Sequence, residues 1–146
     1  MRLYLDNCAY NRPFDDQRSL RIQMETLAKL FIQDKIKQGK YDLIWSYMSD
    51  LENKHNPNIE NKKSIQLWED IAVYKCKSSD KIFKLGKEIM KNGIRANDAL
   101  HIACAIESRC EYFLTTDTGV LNKKIDNINI INPIDFVREM EGNYED

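Results

Sequence analysis

Glycine and proline are scarce in this chain, with 5 glycines and 3 prolines among 146 residues. Neither of the glycine-rich phosphate motifs, GxGxxG or GxxxxGKS/T, occurs, which argues against a dinucleotide site or a P-loop. No apolar run approaches the roughly 20 residues needed to cross a bilayer. The start of the chain, MRLYL, meets a charge at Asp6 and is too short for a secretory signal. We therefore expect a soluble, cytoplasmic protein that does not associate with membranes.

Cysteine and histidine occur without the spacings that mark common metal and redox motifs. The 4 cysteines include no CxxC pair, and the 2 histidines form no HExxH motif. These spacings argue against a zinc site or a disulfide framework, and the absence of GxSxG argues against acyl transfer. The formal net charge of -1 excludes a strongly basic coat for nucleic acid. His101 lies in the apolar run ALHIA, so we expect a packed histidine rather than a catalytic base.

Length and composition indicate one globular domain over residues 1–146, since 42% of the residues are hydrophobic and 31% are charged. The apolar patterning predicts strands at 3–6, 41–47, 111–116 and 128–131. It predicts helices at 17–38, 49–55, 61–76, 79–92, 99–106 (capped by Asn97) and 118–124, and a last helix that starts at Asn132-Pro133. Strands that alternate with helices imply an α/β fold whose parallel sheet is covered on both faces.

Four carboxylates from distant parts of the chain are expected at one edge of that sheet. Asp6 and Asp117 each follow a predicted strand directly, and the carboxyl ends of parallel strands share an edge. Asp98 begins the helix that leads into the third strand, and Glu52 lies about one turn into the helix after the second. Each has a structural alternative: for example, Ser49 and Glu52 match a capping box.

Carboxylates that converge repel one another and raise each other's pKa unless protons or cations intervene. Mg²⁺ and Mn²⁺ prefer oxygen ligands and leave room for phosphate oxygens. Such an ion can activate water and shield a phosphate, and a pair of ions can brace the attacking and leaving oxygens. The four acids together therefore predict a divalent-metal site.

Three segments carry a resemblance to a known family. LYLDNCAYNRPFDD, SYMSDLENKHNP and ANDALHIACAIESRCEYFLTTD resemble the PIN domain family over about residues 2–135. The last segment is the most specific, with an Asp that opens an apolar helix, then an apolar strand, then TTD. The resemblance implies a three-layer α/β/α fold with a central, mostly parallel sheet of four or five strands. It also implies a Mg²⁺- or Mn²⁺-dependent nuclease, an endoribonuclease in most members.

The resemblance assigns the family's four acidic metal ligands to positions of this sequence. The catalytic and metal-binding residues would be Asp6, Glu52, Asp98 and Asp117, and the supporting polar residues would be Asn7 and Thr116. Many bacterial members are toxin ribonucleases that a partner antitoxin holds inactive, and many form homodimers. The expected partners are therefore RNA, an antitoxin protein and a second copy. The long helix at 17–38 is a candidate surface for either protein partner.

Two rival functions stay open at the level of sequence. The domain could bind RNA or a protein with little catalysis, although binding alone does not require four like charges in one place. A DNA nuclease of the flap type is the other rival, and the short chain leaves little room for elements that grip a duplex. Arg12, Lys54 and Arg95 lie near the predicted site, either as phosphate contacts or as solvated surface charges.

Overall fold

A computed structural model describes residues 1–142 of the chain. Five strands form one sheet in the order β3-β2-β1-β4-β5, and every neighbouring pair is parallel. In the central strand, Leu3 lies opposite Leu43 on one side and Tyr112 on the other. The strands are β1 (Arg2–Leu5), β2 (Asp42–Ser46), β3 (Tyr74–Cys76), β4 (Tyr112–Leu114) and β5 (Asn129–Ile131).

Helices connect the strands and cover both faces of the sheet. The longest, α2, follows the first strand after a short helix and one 3₁₀ turn (Arg12–Phe14). It ends before Gly39, whose φ of 78° is a conformation that glycine adopts without strain. The helices are α1 (Asn7–Asn11), α2 (Leu20–Lys37), α3 (Tyr47–Lys54), α4 (Ile59–Gln66), α5 (Trp68–Ile71), α6 (Asp80–Met90), α7 (Ala96–Glu107), α8 (Thr118–Leu121) and α9 (Pro133–Glu141).

Two apolar cores lie on opposite faces of the sheet because side chains alternate along each strand. On β1, Tyr4 packs with Phe113 and the apolar body of α7 on one face. Leu3 and Leu5 pack on the other face with residues of α2, such as Ile32. All of these side chains are almost completely buried. The expected three-layer α/β/α fold is therefore confirmed, with five strands.

One predicted element is wrong. The segment 61–76 was expected to be a single helix, but it contains the end of α4, all of α5 and the edge strand β3. β3 has only three residues, and Tyr74 and Lys75 on it are exposed, so no alternation of apolar residues marks it. Its pairing with β2 creates the strand, through partners such as Ile44 and Tyr74.

Two predicted caps also differ from the structure. The capping box at α3 is formed by Ser46 and Ser49, not by Ser49 and Glu52. Helix α7 begins after Arg95, which makes no side-chain cap, so Asn97 lies inside the first turn. Both helices start earlier than the sequence indicates, which places Glu52 in the second turn of α3 and Asp98 in the first turn of α7. The predicted Asn132-Pro133 start of the last helix is confirmed.

The order of the strands in the sheet determines where the crevice lies. β1 is followed in sequence by its neighbour β2, whereas β4 pairs with the other side of β1 and continues to β5. The chain therefore leaves β1 and β4 in opposite directions, and a crevice opens where their carboxyl ends meet. Asp6 and Asp117 follow these two strands. Among residues 1–142, no helix is long and apolar enough to cross a membrane.

Candidate metal centre

Asp6 is the most firmly held of the four acids. It follows β1, is 5% exposed and caps α1. Its carboxylate accepts hydrogen bonds from the backbone N–H of Asn7 at 2.8 Å and from the Thr115 hydroxyl at 2.9 Å. The Cys8 thiol donates to it at 3.4 Å. Since these donors fix the carboxylate, Asp6 can present a formed anionic ligand without reorganisation.

The environment of Cys8 makes it a packed, unreactive thiol. Burial, followed by the neighbouring Asp6 carboxylate, raises the pKa of the thiol to about 12. A protonated thiol is a weak donor and a poor nucleophile. Cys8 also accepts a hydrogen bond from the Thr116 backbone N–H at 3.4 Å, so it links the loop after β4 to the end of β1.

Asp117 caps the short helix α8, where its carboxylate accepts a hydrogen bond from the Gly119 N–H at 2.9 Å. Its own backbone N–H donates to the Thr115 hydroxyl oxygen at 3.1 Å. That hydroxyl in turn donates to Asp6, so Thr115 connects the two acids. The resemblance points to the neighbouring Thr116, and Thr115 is missed at the level of sequence. The signal that could have found Thr115 is its position directly after β4, between that strand and Asp117.

The pKa of Asp98 depends on burial and on the charges of the other three acids. Burial, together with the nearby Asp6, Asp117 and Glu52 carboxylates, raises its pKa to about 6, while His101 opposes them. This is the electrostatic consequence of gathering like charges in a partly desolvated place. The helix dipole at the start of α7 favours the ionised form but does not outweigh them.

Glu52 lies on α3 with 24% of its side chain exposed, and it accepts a hydrogen bond from Nε2 of His101 at 2.8 Å. His101 is buried, as expected, but it belongs to the site and does not merely fill the core. Burial alone would lower its pKa, whereas the hydrogen bond to Glu52 and the nearby acids raise it above the ordinary value. Ligand atoms of Asp6, Glu52 and His101 all lie within 4.8 Å of one another.

The structure thus brings the four acids together. Glu52, Asp98 and Asp117 line one open crevice of about 560 Å³, together with Arg95 and Asn97. Asp6 adjoins it through its proximity to Glu52. A larger depression of about 680 Å³ lies along β5 and is lined by residues such as Lys123. We assign the candidate site to the smaller crevice because the carboxylates meet there.

The donor set fits a hard divalent cation. Carboxylate oxygens are the ligands that Mg²⁺ and Mn²⁺ prefer, and an open crevice leaves room for waters and phosphate oxygens. Such an ion would neutralise the neighbouring carboxylate charges, which together with burial raise the pKa of Asp98. Asp6, Glu52, Asp98 and Asp117 are the residues that could hold it.

Basic residues near the crevice differ in their availability. Arg12 is committed elsewhere, since it forms ion pairs with Glu25 at 2.9 Å and with Asp15 at 2.8 Å. Arg95 lines the crevice, and Lys54 is exposed on α3. Within residues 1–142, neither Arg95 nor Lys54 makes an ion pair with an acidic side chain.

Comparison with known proteins agrees with this geometry. The structure is similar to the crystal structure of VapBC2 from Rickettsia felis bound to a DNA fragment from their promoter, with a TM-score of 0.58 and 16% identity. The match covers 90% of this chain and 98% of that chain, and at this identity it shows the shared fold alone. No curated protein sequence matches the chain. The model of the PIN domain family matches residues 19–126, a range that contains three of the four acids. The chain therefore belongs to the PIN domain family.

Proposed function

We propose that this protein is a Mg²⁺- or Mn²⁺-dependent endoribonuclease of the toxin type. The observation that carries the proposal is the meeting of Asp6, Glu52, Asp98 and Asp117 at the carboxyl edge of the sheet. Four like charges in one place raise the free energy of the folded protein unless they bind something positive. Membership of the PIN domain family supports hydrolysis of a phosphodiester as the reaction.

Each residue then has a role in the chemistry. Asp6, Asp98 and Asp117 would hold the ion, and a bound ion would supply a water of lowered pKa and a counter-charge for the phosphate. Glu52 serves as a further ligand or accepts a proton from the attacking water. Thr115 keeps Asp6 and the Asp117 backbone in register through its hydroxyl. Arg95, on the wall of the crevice, is placed to contact a phosphate of the RNA.

Cleavage of labelled RNA in Mn²⁺ tests the proposal, with Asp6→Asn as the variant and Asp16→Asn as the control. Asp6→Asn keeps the shape of the side chain but removes a ligand charge, so we expect the rate to fall roughly 100-fold or more. Asp16 is exposed and, in the part of the chain that the structure describes, forms an ion pair with Arg18 alone, so its variant is expected to cleave like the wild type.

Equal cleavage by wild type and Asp6→Asn would identify a contaminating nuclease and contradict the proposal. Calorimetry gives a second readout, because the wild type is expected to bind Mn²⁺ at millimolar concentration or below. If the pure protein binds no Mn²⁺ and cleaves no RNA, the domain is a binding module instead.

We also propose that a separate protein, an antitoxin, covers helix α2. The likeness to VapBC2 supports a partner of this kind. The exposed face of α2 carries an apolar stripe of Leu20, Met24, Leu27, Leu30 and Phe31, each between 38% and 69% exposed. Contiguous apolar patches of this kind mark interaction surfaces.

Leu27→Glu tests the partner. We expect a small protein to be encoded beside this chain, to co-purify with the wild type and to be lost from Leu27→Glu, while RNA cleavage by the isolated variant stays unchanged. If the wild type alone is a dimer in light scattering and Leu27→Glu is a monomer, a second copy covers the stripe instead.

A further inference from the structure

A buried chain of hydrogen bonds leads from the start of α3 to the acid crevice. The Ser46 hydroxyl lies 2.6 Å from the Tyr4 hydroxyl, which also bonds Nδ1 of His101 at 2.5 Å. Nε2 of His101 reaches Oε1 of Glu52 at 2.8 Å. Tyr4 and Ser46 are 0% exposed and His101 is 1% exposed. The four residues come from β1, the end of β2, α7 and α3, so only the folded chain assembles them.

The groups at the two ends of this series of hydrogen bonds determine which atom donates in each bond. A carboxylate only accepts, so Nε2 of His101 carries the hydrogen that faces Glu52. In the neutral ring, Nδ1 is then an acceptor, and the Tyr4 hydroxyl donates to it. At the other end, the Ser46 oxygen already accepts from the backbone N–H groups of Met48 at 3.1 Å and Ser49 at 3.2 Å. Its own hydrogen is therefore available for the Tyr4 oxygen, and while the ring is neutral every hydrogen in this series of bonds points toward Glu52.

We propose that Tyr4 and His101 are positioning residues that fix the Glu52 carboxylate at the metal centre; this rests on the proposed function of that site. His101 holds Oε1, and Tyr4 holds the ring of His101 in one orientation. Among residues 1–142, no hydrogen bond to Oε2 of Glu52 is recorded, so this oxygen is left for an ion or a water. A glutamate near the protein surface otherwise has several rotatable bonds to immobilise when it binds.

Outer partners of this kind matter for metal binding because they orient the ligand, and their loss typically costs about 10- to 100-fold in affinity or activity. A competing role for His101 is direct ligation of the ion by Nε2, which lies within 4.8 Å of the Asp6 and Glu52 oxygens. Magnesium prefers oxygen to imidazole nitrogen, and Nε2 is already used by Glu52. The experiments below separate the two roles.

Tyr4→Phe removes one hydroxyl from the buried chain, and Tyr10→Phe is its matched control. Tyr10 is also buried, but its hydroxyl has no hydrogen-bond partner within residues 1–142, so its loss breaks no hydrogen bond there. We expect Mn²⁺ binding, measured by calorimetry on the purified proteins, to weaken about 10-fold in Tyr4→Phe and to stay unchanged in Tyr10→Phe. In the cleavage assay, kcat falls and KM for RNA does not change.

Two variants of His101 keep the test valid if one of them folds poorly. The amide nitrogen of Gln reaches the place of Nε2, so His101→Gln keeps a donor to Glu52. Asn is shorter and reaches only the place of Nδ1. We expect His101→Asn to bind Mn²⁺ about 10- to 100-fold more weakly and His101→Gln to recover most of that loss. A purely structural role for the ring would not be rescued by Gln.

Nitrogen NMR of the metal-free protein at alkaline pH gives a readout that does not depend on activity. The chain has 2 histidines, so the signals are simple to assign. We expect the Nε2–H tautomer for His101 in the wild type and a mixture of tautomers in Tyr4→Phe. Three results would each overturn the proposal: an Nδ1–H tautomer in the wild type, equal Mn²⁺ affinity in Tyr4→Phe and Tyr10→Phe, or loss of the Nε2 hydrogen on addition of Mg²⁺. If the wild type cleaves no RNA but shows the expected tautomer and affinities, the proposed function fails while this inference stands.

Discussion

Two buried ionisable side chains on helix α2 behave in opposite ways, although each is surrounded by protein. Glu25 is 0% exposed and accepts hydrogen bonds from Arg12, Arg21 and Asn132. Lys29 is 3% exposed, and its amine contacts the rings of Tyr10 and Trp68 at 5.6 and 5.9 Å from their centroids. Aromatic faces compensate a desolvated ammonium only in part. Its arginine partners therefore compensate the desolvation of Glu25, whereas no acidic group within residues 1–142 pairs with Lys29.

The pKa of Lys29 makes the stability of the fold depend on pH. Burial, with the nearby Lys37, lowers this pKa to about 7, whereas a lysine in the unfolded chain titrates near ~10.4. Between these values the unfolded state binds more protons than the folded state, so the free energy of unfolding rises with pH. The slope reaches at most about 1.4 kcal/mol per pH unit.

Lys29→Met removes this dependence. We expect the variant to be more stable than the wild type at pH 7 by roughly 1–3 kcal/mol, because a thioether replaces a buried amine that has no acidic partner within residues 1–142. This difference in the free energy of unfolding should shrink as pH rises toward 10. Urea denaturation at several pH values measures it, with the exposed Lys40→Met as control. A constant difference between variant and wild type across pH would contradict the argument.

At the scale of whole elements, helix α2 covers the sheet and also binds three loop segments through polar side chains. Glu25 accepts from Arg12 in the 3₁₀ turn after α1 and from Asn132 at the start of α9. Arg21, which also pairs with Glu25, donates to the Thr116 backbone carbonyl at 3.1 Å. The segment after Asp6 and the residue before Asp117 therefore both form hydrogen bonds with helix α2. Neither of the two roles left open for Arg12, a phosphate contact or a solvated surface charge, fits this arrangement, because ion pairs with Glu25 and Asp15 occupy the guanidinium.

Glu25→Gln is expected to destabilise the protein by roughly 3 kcal/mol, since it removes the buried negative charge that Arg12 and Arg21 share. Asp16→Asn breaks the exposed pair with Arg18, which solvent screens, and is expected to leave the free energy of unfolding unchanged within error. Free energies of unfolding from urea titration compare the two. Equal losses in both variants would show that burial of the Glu25 cluster contributes nothing to stability.

The sequence predicts the elements unequally. The body of α7 is recognisable because it is apolar on all sides, and it is indeed buried between α6 and the sheet. β3 is missed because an exposed edge strand of three residues needs no apolar alternation. The start of α3 is misplaced because Ser46 and Ser49 are equally good caps by residue type, and only the turn of the chain after β2 selects Ser46.

At the scale of the whole molecule, the order of strands decides where the acids meet. The sheet is parallel, so each strand delivers its carboxyl end to the same edge, and each helix that precedes a strand begins there. Asp6, Asp98 and Asp117 are placed by this rule alone, and Glu52 by the helix after β2. Burial first, and then repulsion from the other acids, raise the pKa of Asp98.

The chain's own pattern of residues determined that the fold is a parallel α/β sheet and that four acids share its carboxyl edge, because strand direction and helix position follow from local periodicity. The tertiary structure alone decided that Tyr4, Ser46 and His101 form one hydrogen-bonded chain behind Glu52, and that Glu25 captures Arg12. Such pairings depend on distances between segments far apart in sequence. Periodicity assigns a side chain to a face, but packing in three dimensions selects its partner.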